Sequence, residues 1–168
     1  EWTIGMRRRL HRIPELGDAE FETQALIMSA LNELGIEHHA VATGVVGLIR
    51  GGGTGPTVAL RADIDALPVT EPVGCAFRSE HEGRMHACGH DAHTAILLGA
   101  ARLLNGIRGQ LAGNVKLLFQ PAEEGGGGAL PLIRAGALEN PHVDWVYGLH
   151  VMPHLPAGAI ETRPGTLN

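Results

Sequence analysis

Short apolar runs typical of β-strands alternate with helical segments along this chain, and this alternation limits the possible folds more than any other feature. The strand-like runs cover residues 45–49, 57–60, 115–119 and 143–149, and a buried helix is predicted at 94–104. Strands that alternate with helices form layered α/β domains. We therefore predict an α/β fold with a mostly parallel sheet and helices on both faces.

Local signals add three helices and one turn to this outline. Apolar residues at helical spacing predict helices at 6–13 and 19–34, the second with Gly35 as its C-cap, and a short helix near 129–135. The glycine-rich tract 51–56 separates two strand-like runs, so we predict a hairpin connection there.

The composition excludes several classes of partner. A chain of 168 residues that is 44% hydrophobic and 18% charged fits one soluble domain with its own core. The net charge is −5 and basic residues form no long run, so we expect neither a nucleic-acid surface nor a membrane-binding face. Cys75 and Cys88 are too few for a disulfide framework, and we therefore expect a reducing, cytoplasmic environment.

A cluster of metal-ligand residue types, residues 86–93, is called here the histidine–cysteine cluster. It holds three histidines, Cys88 and Asp91, a density typical of a transition-metal site. In an extended segment Cys88 and His90 would project to the same side and share one ion. His86 and His93 fit either ligand-orienting residues or ordinary loop residues. Two alternatives stay open: a polar loop that caps the next helix through Asp91 or His93, and a Cys88 nucleophile activated by His90.

Two adjacent acids, Glu123 and Glu124, follow the third strand-like run. Neighbouring side chains of an extended chain point in opposite directions, so one carboxylate can bind metal while the other faces a reacting water. Without the histidine–cysteine cluster, a solvated acidic pair before the glycine run 125–128 would be the better interpretation.

Two other strand-like runs also end in potential ligands. Asp63 and Asp65 follow the second run, and His150 follows the fourth. In open α/β sheets the site lies beyond the carboxyl ends of the strands, so we expect these groups to converge on the histidine–cysteine cluster. His150 is then predicted as a ligand. Asp63 and Asp65 lie beside Arg61, an ion-pair partner, so they fit an orienting role at least as well as direct binding.

Five motifs occur in an order that is similar to one known family. They are 8–16 (RRLHRIPEL), 59–69 (ALRADIDALPV), 85–93 (MHACGHDAH), 118–125 (LFQPAEEG) and 148–150 (GLH). The chain thereby resembles the metal-dependent amidohydrolases that include hippurate hydrolase, N-acyl-amino-acid amidohydrolases, N-acetyldiaminopimelate deacetylase and the auxin-conjugate hydrolases.

This resemblance implies a site with two divalent metal ions (Zn, Mn, Co or Ni). It assigns Cys88, His90, Glu124 and His150 as ligands, with the Cys88 thiolate bridging the two ions, and Glu123 as the general base. Asp63, Asp65, His86, Asp91 and His93 then remain as orienting residues. The implied reaction is hydrolysis of the amide bond of small N-acyl amino acids.

Family members are longer than this chain, so the resemblance also concerns domain organisation. Residues 1–168 resemble the N-terminal part of the catalytic domain, without the lid and dimerisation domain, the rest of the catalytic domain and a last metal-binding histidine. We expect homo-oligomers of the full-length form. A second hypothesis from another class is a metal-binding structural remnant with little catalysis of its own.

Overall fold

Helices and strands alternate through residues 1–162 and 164–165, which a computed structural model describes. The α-helices are α1 (Trp2–Arg12), α2 (Phe21–Glu33), α3 (His90–Gly106) and α4 (Ala129–Arg134). The strands are β1 (Glu37–Val41), β2 (Gly44–Ile49), β3 (Thr57–Asp63), β4 (Asn114–Gln120) and β5 (Trp145–Gly148). The helices predicted at 6–13, 19–34, 94–104 and 129–135 are thus present with shifted ends, and Gly35 has the left-handed φ of 65° expected after a helix.

The five strands form one sheet in the order β1-β2-β4-β3-β5. The half that carries the site is parallel, since β3 pairs in parallel with both β4 and β5. At the other end β2 pairs antiparallel with β1 and β4. The predicted layered α/β class is confirmed.

The predicted hairpin between β2 and β3 is wrong, because β4 lies between these two strands. The glycine tract crosses the end of the sheet instead. The amide of Gly52 donates to the carbonyls of Arg108 and Leu111 at 3.1 and 3.0 Å, in the connection that precedes β4. The glycine content correctly predicted that a strand ends at this tract. Which strand lies beside β2 depends on β4, which is far along the sequence.

Helices cover both faces of the sheet, as predicted. On one face α1, α2 and α3 enclose the main core, in which Leu10, Ile27 and Leu98 are fully buried against Leu117 and Phe119. Each such side chain contributes about 1.5–3 kcal/mol by leaving water. On the other face α4 buries Leu132 in a smaller apolar cluster. Among the helices of the described part of the chain, none combines the length and the hydrophobicity that a membrane span requires.

The carboxyl ends of β3, β4 and β5 meet at one edge of the sheet. The register pairs Asp63, the last residue of β3, with Gln120, the last residue of β4. Helix α3 begins at the same edge, after Gly89, whose φ is 87°. The sequence segments that carry the predicted ligands therefore leave the sheet side by side.

Candidate active site

Cys88 and His150 approach each other at this edge, with 3.3 Å between Cys88 Sγ and His150 Nε2. The Nδ1 of His150 donates to the carbonyl of Val151 at 2.7 Å, which leaves Nε2 free to face the sulfur. Cys88 and His90 converge on one region, but the premise of an extended segment is wrong. Gly89 takes the left-handed conformation, and His90 is already the first residue of α3.

His90 is the centre of the site and is almost fully buried, with 1% of the residue exposed. Its Nδ1 donates to Asp65, at 2.9 Å from the carbonyl oxygen and 3.2 Å from Oδ1. This contact fixes the ring, so Nε2 faces the carboxylates of Asp63, Glu123 and Glu124 at 3.7–3.9 Å. The buried Nε2 has no hydrogen-bond partner among the described residues.

Glu123 and Glu124 lie in a turn after β4, not in an extended segment. Both carboxylates therefore reach the same histidine, at 3.9 Å and 3.7 Å from His90 Nε2. Their surroundings differ: the Glu123 side chain is 42% exposed and that of Glu124 26%. The amide of Glu124 donates to Asp65 Oδ2 at 3.0 Å, so Asp65 holds both His90 and the turn.

Asp63 and His93 form a hydrogen-bonded pair beside His90. The Nδ1 of His93 donates to Asp63 Oδ1 at 2.6 Å, and its Nε2 accepts the amide of Val151 at 2.9 Å. Both ring nitrogens are thus occupied, which fits an orienting role. Burial favours a raised pKa for Asp63, but the His93 hydrogen bond and the charges of His90 and Arg61 lower it from 3.8 to about 2.

His86 and Asp91 lie on the other side of His90, toward α1. The carboxylate of Asp91 accepts His11 Nδ1 and Arg7 Nε, each at 2.8 Å, so it joins α3 to α1 and does not cap its own helix. His86 is 4% exposed, and both ring nitrogens lack a partner among the described residues. Burial lowers the pKa of His86 to about 4, which keeps its imidazole neutral near pH 7.

The electrostatics of Cys88 argue against a cysteine nucleophile. Burial and the hydrogen-bonded carboxylate of Glu124 raise the pKa of the thiol to about 11, and the charges of Asp63 and Glu123 act in the same direction. A nucleophilic cysteine needs the opposite shift, toward the thiolate at neutral pH. Only a positive charge among these carboxylates would favour the thiolate.

Sequence reasoning missed the residue that supports the acidic turn. Glu20 is fully buried, accepts the hydroxyl of Thr43, and accepts the amide of Ala122 at 2.8 Å. Ala122 has a left-handed φ of 49° and directly precedes Glu123. A single acid before α2 gave no signal of this role, because its partners lie 23 and 102 residues away.

In the described part of the chain the donor atoms form three overlapping sets that share His90. The sets are Cys88, His90 and His150; His90, Glu123 and Glu124; and Asp63, His90 and His93, and within each the donor atoms lie within 4.8 Å of one another. Both ring nitrogens of His93 already have partners, which leaves the first two sets for metal. Thiolate, imidazole and carboxylate are the donors that zinc and related divalent ions take. The Nε2 atom of His90 has no hydrogen-bond partner among the described residues, and its lone pair is available to such an ion. The residues present therefore fit a metal centre.

The chain is similar in sequence to one known protein family. The profile of Peptidase family M20/M25/M40 matches residues 59–166, more than half of the chain. IAA-amino acid hydrolase ILR1-like 5 of Arabidopsis thaliana is 49% identical over 169 residues, which cover 99% of this chain and 38% of that protein. N-acetyl-L-cysteine deacetylase of Bacillus subtilis is 51% identical over 166 residues, which cover 98% of this chain and 39% of that protein.

Solved structures agree with these relatives. The YXEP protein of Bacillus subtilis, described as a dinuclear metal-binding peptidase from the M20 family, superposes with a TM-score of 0.87 at 47% identity, over 92% of this chain and 44% of that one. A putative aminohydrolase from methicillin-resistant Staphylococcus aureus gives a TM-score of 0.92 at 42% identity, over 98% and 44%. The chain thus spans about two fifths of the length of the relatives it matches. On the profile match and these identities, it belongs to Peptidase family M20/M25/M40.

Proposed function

We propose that this chain carries the metal-binding part of a hydrolase that cleaves the amide bond of small N-acyl amino acids. The observation that carries the proposal is the buried, unpartnered Nε2 of His90, aimed at carboxylates 3.7–3.9 Å away. A neutral imidazole lone pair facing negative oxygens is unfavourable unless a proton or a cation lies between them.

The names of the relatives support the substrate class. IAA-amino acid hydrolase, N-acetyl-L-cysteine deacetylase and N-acetyldiaminopimelate deacetylase all act, by name, on an amino acid that carries an added group. The described dinuclear metal site of the YXEP protein supports two ions rather than one.

In this proposal Cys88, His90, Glu124 and His150 hold two divalent ions. Bound metal would lower the pKa of water and polarise the amide carbonyl. Zinc, manganese, cobalt and nickel all suit this mixture of sulfur, nitrogen and oxygen donors.

Glu123 is the proposed general base. Its carboxylate is the more exposed of the two acids, so a water can reach it, and it lies at the rim of the donor sets. It would take a proton from the attacking water and return that proton to the leaving amine nitrogen. Asp65 and Asp63 would keep His90 and His93 in place for this step, through the contacts described above.

Our proposal also covers domain organisation, oligomeric state, cellular location and partners. We infer that residues 1–168 are the N-terminal part of a catalytic domain, that the full-length form is a homo-oligomer, and that it works in the cytoplasm on small molecules, with neither nucleic acid nor membrane as partner. A metal-binding remnant with little catalysis is the second candidate.

The test combines metal content with hydrolysis of N-acetyl and N-benzoyl amino acids. We expect Cys88→Ser to lose the metal of the candidate active site, and its activity with it. Glu123→Gln should keep its metal and lose activity by about 100-fold or more, the usual contribution of a general base. Glu82→Gln removes an exposed acid outside the site and serves as the matched control.

The outcomes separate the two candidates. Metal binding without any hydrolysis in the wild-type chain would favour the remnant. Full activity in Glu123→Gln would refute the assignment of the base, and full metal content in Cys88→Ser would refute the assignment of the ligand.

A further inference from the structure

A second group of metal-ligand residue types lies outside the candidate active site. His11 belongs to α1, and Glu71 and Cys75 belong to the long connection between β3 and α3. One donor atom from each residue lies within 4.8 Å of the others. His11 Nε2 is 3.1 Å from Glu71 Oε1. None of the three is among the ligands proposed above, and none has a part in the proposed reaction.

The histidine of this group is held as metal-bound histidines usually are. His11 Nδ1 is in contact with Asp91 Oδ2 at 2.8 Å, and Arg7 Nε lies 2.8 Å from the same oxygen. A carboxylate on the far nitrogen fixes the ring and makes the near nitrogen a better ligand. Nε2 is thereby aimed at Glu71 and Cys75.

The carboxylate of Glu71 is also held in place. The second oxygen of Glu71 accepts the amide of Ser79, which leaves Oε1 directed at His11. His11 and Glu71 are 4% and 7% exposed, whereas Cys75 is half-buried. The group is therefore enclosed on the side of α1 and open toward solvent at the sulfur, where a water could complete a set of four ligands.

We propose that His11, Glu71 and Cys75 form an additional binding site for zinc or a similar thiophilic divalent ion. Tetrahedral zinc with bonds of about 2.0–2.3 Å separates its ligands by about 3.3–3.8 Å. The His11–Glu71 distance of 3.1 Å is close to this spacing, and the remaining donor needs to move by no more than about 1 Å. One imidazole, one carboxylate and one thiolate are an ordinary zinc donor set.

Such an ion would connect three parts of the fold. It would join α1, through His11, to the connection that leads into Cys88, and Asp91 would extend the link to the first turn of α3. The site is thus structural, and it would stabilise the segment that presents the candidate active site.

Cadmium titration tests the proposal, because cadmium bound to a thiolate absorbs in the near ultraviolet. The chain has only two cysteines, so Cys88→Ser removes the thiolate of the candidate active site and leaves Cys75 as the sole sulfur ligand from cysteine. We expect Cys88→Ser to keep a saturable cadmium–thiolate band, with one ion per chain. The band should disappear in Cys88→Ser/Cys75→Ser. Absence of the band in Cys88→Ser would overturn the proposal.

A second measurement separates metal binding from hydrogen bonding. Serine keeps a donor for Glu71 but is a poor zinc ligand, so Cys75→Ser should fold as wild type does without metal. In the Cys88→Ser background, added zinc should raise Tm, and the further change Cys75→Ser should reduce zinc affinity at least tenfold and remove most of this rise. An equal rise in both variants would show that Cys75 does not bind the ion, and the proposal would fail.

Discussion

At the scale of single residues, His11 lies between two buried acids and makes stability depend on pH. The hydrogen bond to Asp91 raises the pKa of His11, burial opposes this shift, and the contact with Glu71 adds to it. Protonated His11 can donate to both carboxylates at once. The pKa of His11 is higher in the folded than in the unfolded chain. The stabilisation that protonated His11 gives the folded chain is therefore fully present below pH 6.5 and is lost as the pH rises through the folded-state pKa.

We therefore expect the free energy of unfolding of metal-free protein to fall by about 3 kcal/mol in His11→Gln at pH 6, where a buried charge pair is broken. The loss should be smaller at pH 9. Urea unfolding in the presence of a chelator measures both values. His142→Gln, at an exposed histidine beside Glu139, is the control and should change little. An equal loss at both pH values would contradict the assigned protonation.

At the scale of elements, the start of α3 determines the geometry of the proposed ligands. Gly89 has a φ of 87°, and an added Cβ would lie 2.5 Å from Val151 Cγ2. Val151 follows His150 and donates its amide to His93. A side chain at residue 89 would therefore displace the segment that carries His150.

We expect Gly89→Ala to weaken metal binding at least tenfold and to lower the free energy of unfolding by about 1–2 kcal/mol, the cost of a left-handed residue with a Cβ. Gly83→Ala is the matched control, since Gly83 has a φ of 72° and nothing within 4 Å of an added Cβ. It should show the same backbone cost with normal metal affinity. Calorimetric titration compares the two variants, and equal affinities would contradict this role for Gly89.

The edge strand β5 is a second feature at this scale. Among the described residues β5 pairs with β3 alone, and Trp145, Val146 and Tyr147 are all more than half exposed. An exposed apolar edge is a template for pairing with another chain. We expect the 168-residue chain to self-associate in sedimentation experiments, and Val146→Lys to reduce association. Val69→Lys changes an exposed valine outside the strands and should not. A wild-type chain that stays monomeric at all concentrations would contradict this expectation.

At the scale of the whole molecule, the sequence predicted the layers and the edge at which the site forms. Apolar runs and helical spacing are local patterns, and the rule that sites follow the carboxyl ends of parallel strands brought Asp63, Asp65, Glu123, Glu124 and His150 to the histidine–cysteine cluster. Long-range contacts were not predictable in this way. His11 and Asp91 are 80 residues apart, and β4 enters between β2 and β3 from more than 60 residues beyond the glycine tract's start. Neither contact leaves a periodic signal.

The backbone conformation at the candidate active site also differs from the one that residue spacing predicted. Spacing placed Cys88 and His90 on one side of an extended segment, and Glu123 and Glu124 on opposite sides of another. The left-handed conformations of Gly89 and Ala122 replace both segments with turns. Conformations of this kind depend on contacts such as the one between Glu20 and Ala122, which only the folded chain provides.

We propose above that His90 Nε2 and its neighbours hold two divalent ions at the carboxyl edge of the sheet. Anomalous X-ray diffraction from zinc-loaded crystals tests it most directly, because it locates each ion independently of activity. We expect two neighbouring peaks within bonding distance, about 2.0–2.3 Å, of atoms from Cys88, His90, Glu124 and His150. Zinc-loaded crystals with no peak at His90 Nε2 would contradict it.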